Sequence, residues 1–161
     1  MVKAMAGTLP WAVVLVAAGI ATWWLLSKDM AAGRWLLAAL LIGHGVVHLL
    51  FAVPAPAATD SGPAWPFDTS QSWAVMRAGL DLGLVRVVGA GLVAITVGAL
   101  AVAALATLGM VVPAASWQPA IALGAIASAA TLILFFDVQL VLGLGIDAIL
   151  LWVVLTRAWA A

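Results

Sequence analysis

The sequence predicts an all-α protein: a polytopic transmembrane helix bundle with five spans, four being the alternative count. Three observations predict it. Hydrophobic residues make up 67% of the 161 positions and charged residues only 7%, whereas soluble domains run near half apolar and about a quarter charged. Mean hydropathy is +1.27. Apolar runs long enough to cross about 30 Å of hydrocarbon recur along the chain, separated by short clusters of charge, proline and glycine. The chain 1–161 therefore reads as a single membrane domain, multi-pass in a cell membrane. The lipid bilayer is its first partner, with a homo-oligomer or a membrane-complex partner left open.

The first span is expected at 9–26. It opens with Pro10, where a helix tolerates proline, and closes on Trp23 and Trp24, residues suited to a membrane interface, before Ser27-Lys28-Asp29. Lys3 followed by an apolar stretch also fits a signal peptide. The length of the run and the lack of a clear small-x-small cleavage site favour a retained helix. The second span, 34–53, ends at Pro54. The stretch from Pro54 to Ser70 holds four of the seven prolines together with Asp60, Gly62 and Asp68, and reads as a loop outside the bilayer.

From Gln71 the pattern turns helical again. Trp73, Met76, Leu80 and Leu84 fall at spacings of three and four, and Arg77 and Asp81 are placed to pair across one turn. Residues 54–83 thus read as a loop plus an interfacial helix. It leads to the third span, 84–108, with Arg86 at its entrance. The fourth span, 117–136, has Ser116 as its expected N-cap and Pro119 in its first turn. Asp137 interrupts an apolar stretch too long for one crossing, so a fifth span follows at 138–155.

Small residues recur four apart at Ala90, Ala94 and Gly98, and again at Ala120, Gly124 and Ser128. Such columns let helix backbones approach closely, because association in lipid relies on packing. Orientation rests on few charges. Lys28, Arg34 and Arg157 fall on one side, and Lys3, Arg77 and Arg86 on the other. This near tie leans toward an outside N-terminus, an inside C-terminus and an outside Pro-rich loop.

The charges balance at six Lys and Arg against six Asp, so no basic field offers itself to nucleic acid. With no cysteine, disulfides, thiolate metal sites, iron–sulfur clusters and cysteine nucleophiles are excluded. Glu, Asn and Tyr are absent as well. Buried chemistry must therefore come from two His, six Asp and six basic residues.

His44 and His48 stand one helical turn apart in a run, Trp35 to Val53, that carries no other ionisable group. At 1.5 Å per residue, His44 falls near the centre of the second span and Asp147 near the centre of the fifth. Thr96 and Ser128 reach similar depth. An ionised Asp147 there costs roughly 2.5–3.5 kcal/mol on insertion scales, so it should face the bundle interior and be neutral or paired, with His44 as the candidate partner.

Three readings of His44, His48 and Asp147 stay open. They can tie helices together by interhelical hydrogen bonds. They can form a proton or small-ligand site, with Arg86 holding an anionic group on the loop side. They can ligate a metal, since two His four apart with a carboxylate resemble the sets that bind zinc or non-haem iron. Two imidazoles on one helix face cannot clamp both faces of a haem, so haem would need another axial ligand. A zinc-protease motif is absent, because Gly45 stands where H-E-x-x-H needs Glu. The sequence names no cofactor.

The string His44-Gly45-Val46-Val47-His48-Leu49-Leu50-Phe51 resembles the H-G-x-x-H-L motif in a family of small, uncharacterised bacterial integral membrane proteins. Arg86-Val87-Val88-Gly89 and Ser116-Trp117 are similar to that family's Arg-x-x-Gly helix entry and Trp-initiated span. Asp137, Gly143 and Asp147 are similar to the acidic residue, glycine and asparagine of its last span, with Asp here in place of Asn. The likeness covers about Arg34 to Leu155, leaving the first helix as an addition. It implies a four-helix unit with a His-bearing helix, and it implies no activity. The sequence thus points to a non-enzymatic accessory, assembly or ligand-binding bundle. An intramembrane proton, metal or haem protein built on His44, His48 and Asp147 is the alternative.

Overall fold

The computed structural model describes residues 2–28, 30–54 and 65–156, the side chains of 2–12, 15 and 71 excepted. These residues form helices α1 (Val2–Ser27), α2 (Ala31–Val47), α3 (Trp73–Met76), α4 (Leu82–Thr107), α5 (Trp117–Leu134) and α6 (Val141–Thr156), with no strand among them. Four helical stretches are long and apolar enough to cross a membrane: Ala31–Ala52, Leu82–Thr107, Ala114–Leu134 and Val138–Thr156. α1 adds a fifth apolar helix of 26 residues. Arg157 and the side chain of Lys3, both counted for orientation, lie outside the described residues, as do residues 55–64 of the Pro-rich stretch, Asp60 among them.

Local chemistry sets the boundaries. α1 and α2 form a tight hairpin, in which the Met30 amide donates to the Leu25 carbonyl at 3.0 Å. At Gly33 a Cβ would stand 2.8 Å from the backbone nitrogen of Leu26, so glycine lets the two backbones meet. α2 stops earlier than the predicted span, at Val47, and tightens into a 3-10 turn over His48–Ala52 ahead of Pro54. Tightening of this kind is a usual way to use up the last carbonyls of a helix. Asp137 separates α5 from α6: its backbone is extended, and its carboxylate accepts from the Gln139 amide at 2.8 Å to start a 3-10 turn over Val138–Leu140.

Two expectations for the helix ends are corrected. Ser116 makes no side-chain cap; a 3-10 turn at Ala114–Ser116 winds directly into α5, so the chain is already helical where a cap would need an extended residue. The interfacial helix from Gln71 is only the four residues of α3. Gly79 turns the chain with φ +66°, and the Asp81 carboxylate is used as the N-cap of α4, accepting from the Leu84 amide at 2.8 Å. Arg77 and Asp81 therefore sit on different elements and form no pair. The start of this segment is anchored to the bundle by Ser72, whose hydroxyl donates to the Leu134 carbonyl, and by Trp73, whose indole donates to the Ile133 carbonyl, each at 2.7 Å.

α4 is the central helix, packing most extensively on α5 and then on α2; α5 in turn packs on α6, and α1 on α2. The column Ala120, Gly124 and Ser128 is buried. A Cβ at Gly124 would stand 2.8 Å from Cγ of Leu100, so this column does bring α5 against α4. Its counterpart is corrected: Ala90, Ala94 and Gly98 face outward, while Gly89, Val93, Thr96 and Leu100 of α4 turn inward.

The interior has three tiers. Leu37, Leu41, Leu100, Ala103, Ile121, Ala125 and Leu150 form an aliphatic core in one half of the bundle. A smaller cluster of Ala74, Val85 and Phe135, flanked by Phe51, closes the end of the bundle where α3 and the 3-10 turn at His48–Ala52 lie. His44, His48, Ser128 and Asp147 lie between them.

Candidate functional site

α2 directs His44 inward, and the 3-10 turn that follows brings His48 in behind it. The two rings stand edge to face, 5.2 Å apart between centroids at 82°. His48 is fixed by its own helix: Nδ1–H donates to the His44 carbonyl at 3.0 Å. From α6, Asp147 places Oδ1 2.8 Å from His44 Nε2.

Ser128, from α5, is the hub. Its hydroxyl lies 2.7 Å from Asp147 Oδ2, 2.9 Å from His48 Nε2 and 3.3 Å from His44 Nε2. The site is sealed, with Ser128 at 0%, Asp147 at 1% and His48 at 2% exposure. His44 keeps 8% of its side chain exposed.

The other buried hydroxyls within the helices behave differently. Thr22, Thr96 and Thr131 each donate to the carbonyl four residues back in their own helix, at 2.7, 2.9 and 2.9 Å. Thr96 has the expected depth, but its hydroxyl is bonded within α4 and does not join the quartet. Among the described residues of the spanning helices, Ser128 is the buried hydroxyl that bonds across helices.

The structure thus brings together three of the four residues singled out from the sequence, His44, His48 and Asp147. Arg86 does not join them. It is exposed on the first turns of α4, and its Nε donates to Thr69 Oγ1 at 3.4 Å. Ser128 is the member that sequence reasoning left off the site. Its depth and its place in the Ala120, Gly124, Ser128 column were the available signal, but depth does not give rotation about the helix axis.

A ring of aromatic side chains covers the loop side. Phe51 lies 6.3 Å from His48, 5.3 Å from Phe135 and 5.1 Å from Phe67 between centroids, and Trp65 continues the row 5.3 Å from Phe67. Two surface concavities, one beside Trp73, Met76 and Phe136 and the other beside Ala94, Gly98 and Leu123, lie away from the quartet.

The arrangement limits the chemistry. Ser128 and His48 have the spacing of a nucleophile and its base, but the oxygen is enclosed by three polar neighbours and faces neither concavity, so a scissile carbonyl would have no room to approach. Among the described residues no group of three or more His, Cys, Asp or Glu side chains is arranged to hold a metal ion. Ser128 Oγ occupies the point on which Asp147 and the two Nε2 atoms converge, at hydrogen-bond distances. The distances among these atoms are those of a hydrogen-bonded network across α2, α5 and α6. No family model matches the chain, and comparison with curated proteins and with solved structures gives no match.

Proposed function

We propose that this multi-pass membrane protein is a non-enzymatic accessory, assembly or small-ligand-binding bundle, in which the quartet clamps α2 to α5 and α6. One observation carries the reading. The α2 backbone packs closely on α1 and α4 but has no comparable approach to α5 or α6, and there His44 and His48 reach across to Ser128 and Asp147. Interhelical hydrogen bonds in membranes contribute about 0.6 kcal/mol on average and up to about 1.7. Three or four together are enough to set how α2 stands against the others. The likeness of the His44 to Phe51 string to the motif helix of small bacterial membrane proteins accords with this reading and adds no reaction to it.

The test is thermal unfolding of the detergent-purified protein beside metal analysis and a visible absorption spectrum, on wild type, His44→Ala and His48→Ala. The expected result is a colourless, metal-free wild type and a lowered unfolding temperature in both variants. A stoichiometric metal or a haem band, lost in the variants while the unfolding temperature holds, would replace the clamp with a cofactor site.

A further inference from the structure

The hydrogen count of the quartet goes beyond a clamp. Four short contacts join its atoms: His48 Nδ1 to the His44 carbonyl, His48 Nε2 to Ser128 Oγ, Ser128 Oγ to Asp147 Oδ2, and Asp147 Oδ1 to His44 Nε2. Each needs a hydrogen between its two heavy atoms, because two lone pairs at 2.7–3.0 Å repel. The carbonyl has no hydrogen to give, so His48 must carry one on Nδ1. A neutral His48 then presents only a lone pair to Ser128. The single hydroxyl hydrogen of Ser128 faces two acceptors, His48 Nε2 and Asp147 Oδ2.

Two neutral imidazoles and one hydroxyl supply three hydrogens for four contacts when Asp147 is ionised, and no choice of tautomer changes that total. We propose that the quartet is a binding site for one proton inside the bilayer, shared between Asp147 and His48 through Ser128. In one arrangement Asp147 Oδ2–H donates to Ser128 and the Ser128 hydroxyl donates to His48 Nε2. In the other, the carboxyl proton has passed to Ser128 Oγ as the hydroxyl proton passes to His48 Nε2, leaving a carboxylate and an imidazolium. The O–H bond broken at Asp147 is balanced by the N–H bond formed at His48, Ser128 ends as it began, and the total charge is unchanged.

With the proton bound, the quartet has no net charge, which suits a site buried in hydrocarbon. No other described charge faces it. The inward hydroxyls of α4 and α5, Thr96 and Thr131, are occupied within their own helices. Arg86 is engaged with Thr69 at the surface.

The experiment uses the full chain in lipid vesicles at neutral pH. It reads the infrared carbonyl stretch of a protonated carboxyl together with nitrogen resonances of ¹⁵N-histidine. Wild type is expected to show a protonated Asp147 carboxyl or a His48 imidazolium, and to release one proton more than Asp147→Asn on alkalinisation. Asp147→Asn keeps every contact with its amide hydrogens and loses both signals. His48→Gln is expected to shift the carboxyl band when Ser128 is present and to leave it unmoved in a Ser128→Ala background.

A folded wild type with Asp147 ionised and both imidazoles neutral would overturn the proposal, and needs no variant to read. A shift on His48→Gln that is equal with and without Ser128 would overturn the sharing through the hydroxyl. Unfolding temperatures on the same samples separate the two ideas, since the clamp can hold in a protein that binds no extra proton.

Discussion

The two halves of the bundle interior are held by different means. Around Leu41, Leu100 and Ile121, each at most 1% exposed, helices meet through aliphatic side chains, whose contacts carry no directional requirement of their own. One to two turns away, His44, His48, Ser128 and Asp147 accept only the rotation that satisfies four contacts at once. The first half supplies adhesion and the second supplies register. In lipid, where tails are as apolar as leucine, there is no hydrophobic drive between helices, so a small number of directional polar contacts adds to packing in choosing the rotation.

Substitutions in each half test this division. Leu100→Ala is expected to be the most destabilising, by about 2–5 kcal/mol, since Leu100 is fully buried and packs against Gly45 and Gly124. Its measure is reversible unfolding in mixed detergent, with helix spacing otherwise retained. Asp147→Ala should cost about 2 kcal/mol, because it removes the short contacts to His44 Nε2 and Ser128 Oγ and leaves His44 Nε2 only the longer 3.3 Å contact to Ser128. His44→Ala added to it should then cost little more. A double-mutant cycle reading full additivity would show that the two residues do not act as a unit.

Ser128→Ala comes next, at about 1 kcal/mol, and should loosen α2 against α5 in a distance measurement between spin labels, since the His44–Asp147 contact to α6 stays. Thr96→Val and Thr131→Val should change stability by less than about 0.5 kcal/mol, since hydroxyls bonded back to their own helix add little. A loss at Thr96 as large as that at Ser128 would erase the distinction between the two kinds of hydroxyl.

Much of the architecture was legible because hydrocarbon thickness imposes a length, and charge and proline mark where each crossing ends. Asp137 and Pro54 could be read this way directly. The depth of His44 and Asp147 followed from the rise per residue alone. The rotations did not. Ala90, Ala94 and Gly98 look in sequence like the column on α5, yet only the α5 column turns inward, because Gly89 and Leu100 claim the packed face of α4. Ser116 and Asp81 show the same limit at helix ends. Both have capping chemistry, and the backbone at Asp81 is extended while that at Ser116 is already helical.

Phe51, resting between His48 and the Phe67 and Phe135 rings, has a consequence in time. Parting of this stack would open the loop side of the quartet, so the half-life of exchange of its hydrogens for deuterium is expected to report ring motion at that end, whatever the equilibrium occupancy beneath it. Phe51→Ala should shorten that half-life while leaving the infrared and nitrogen spectra of the quartet in place. The aromatic cap would then act as a clock on the buried layer, setting how long its hydrogens stay and having no part in how many are held.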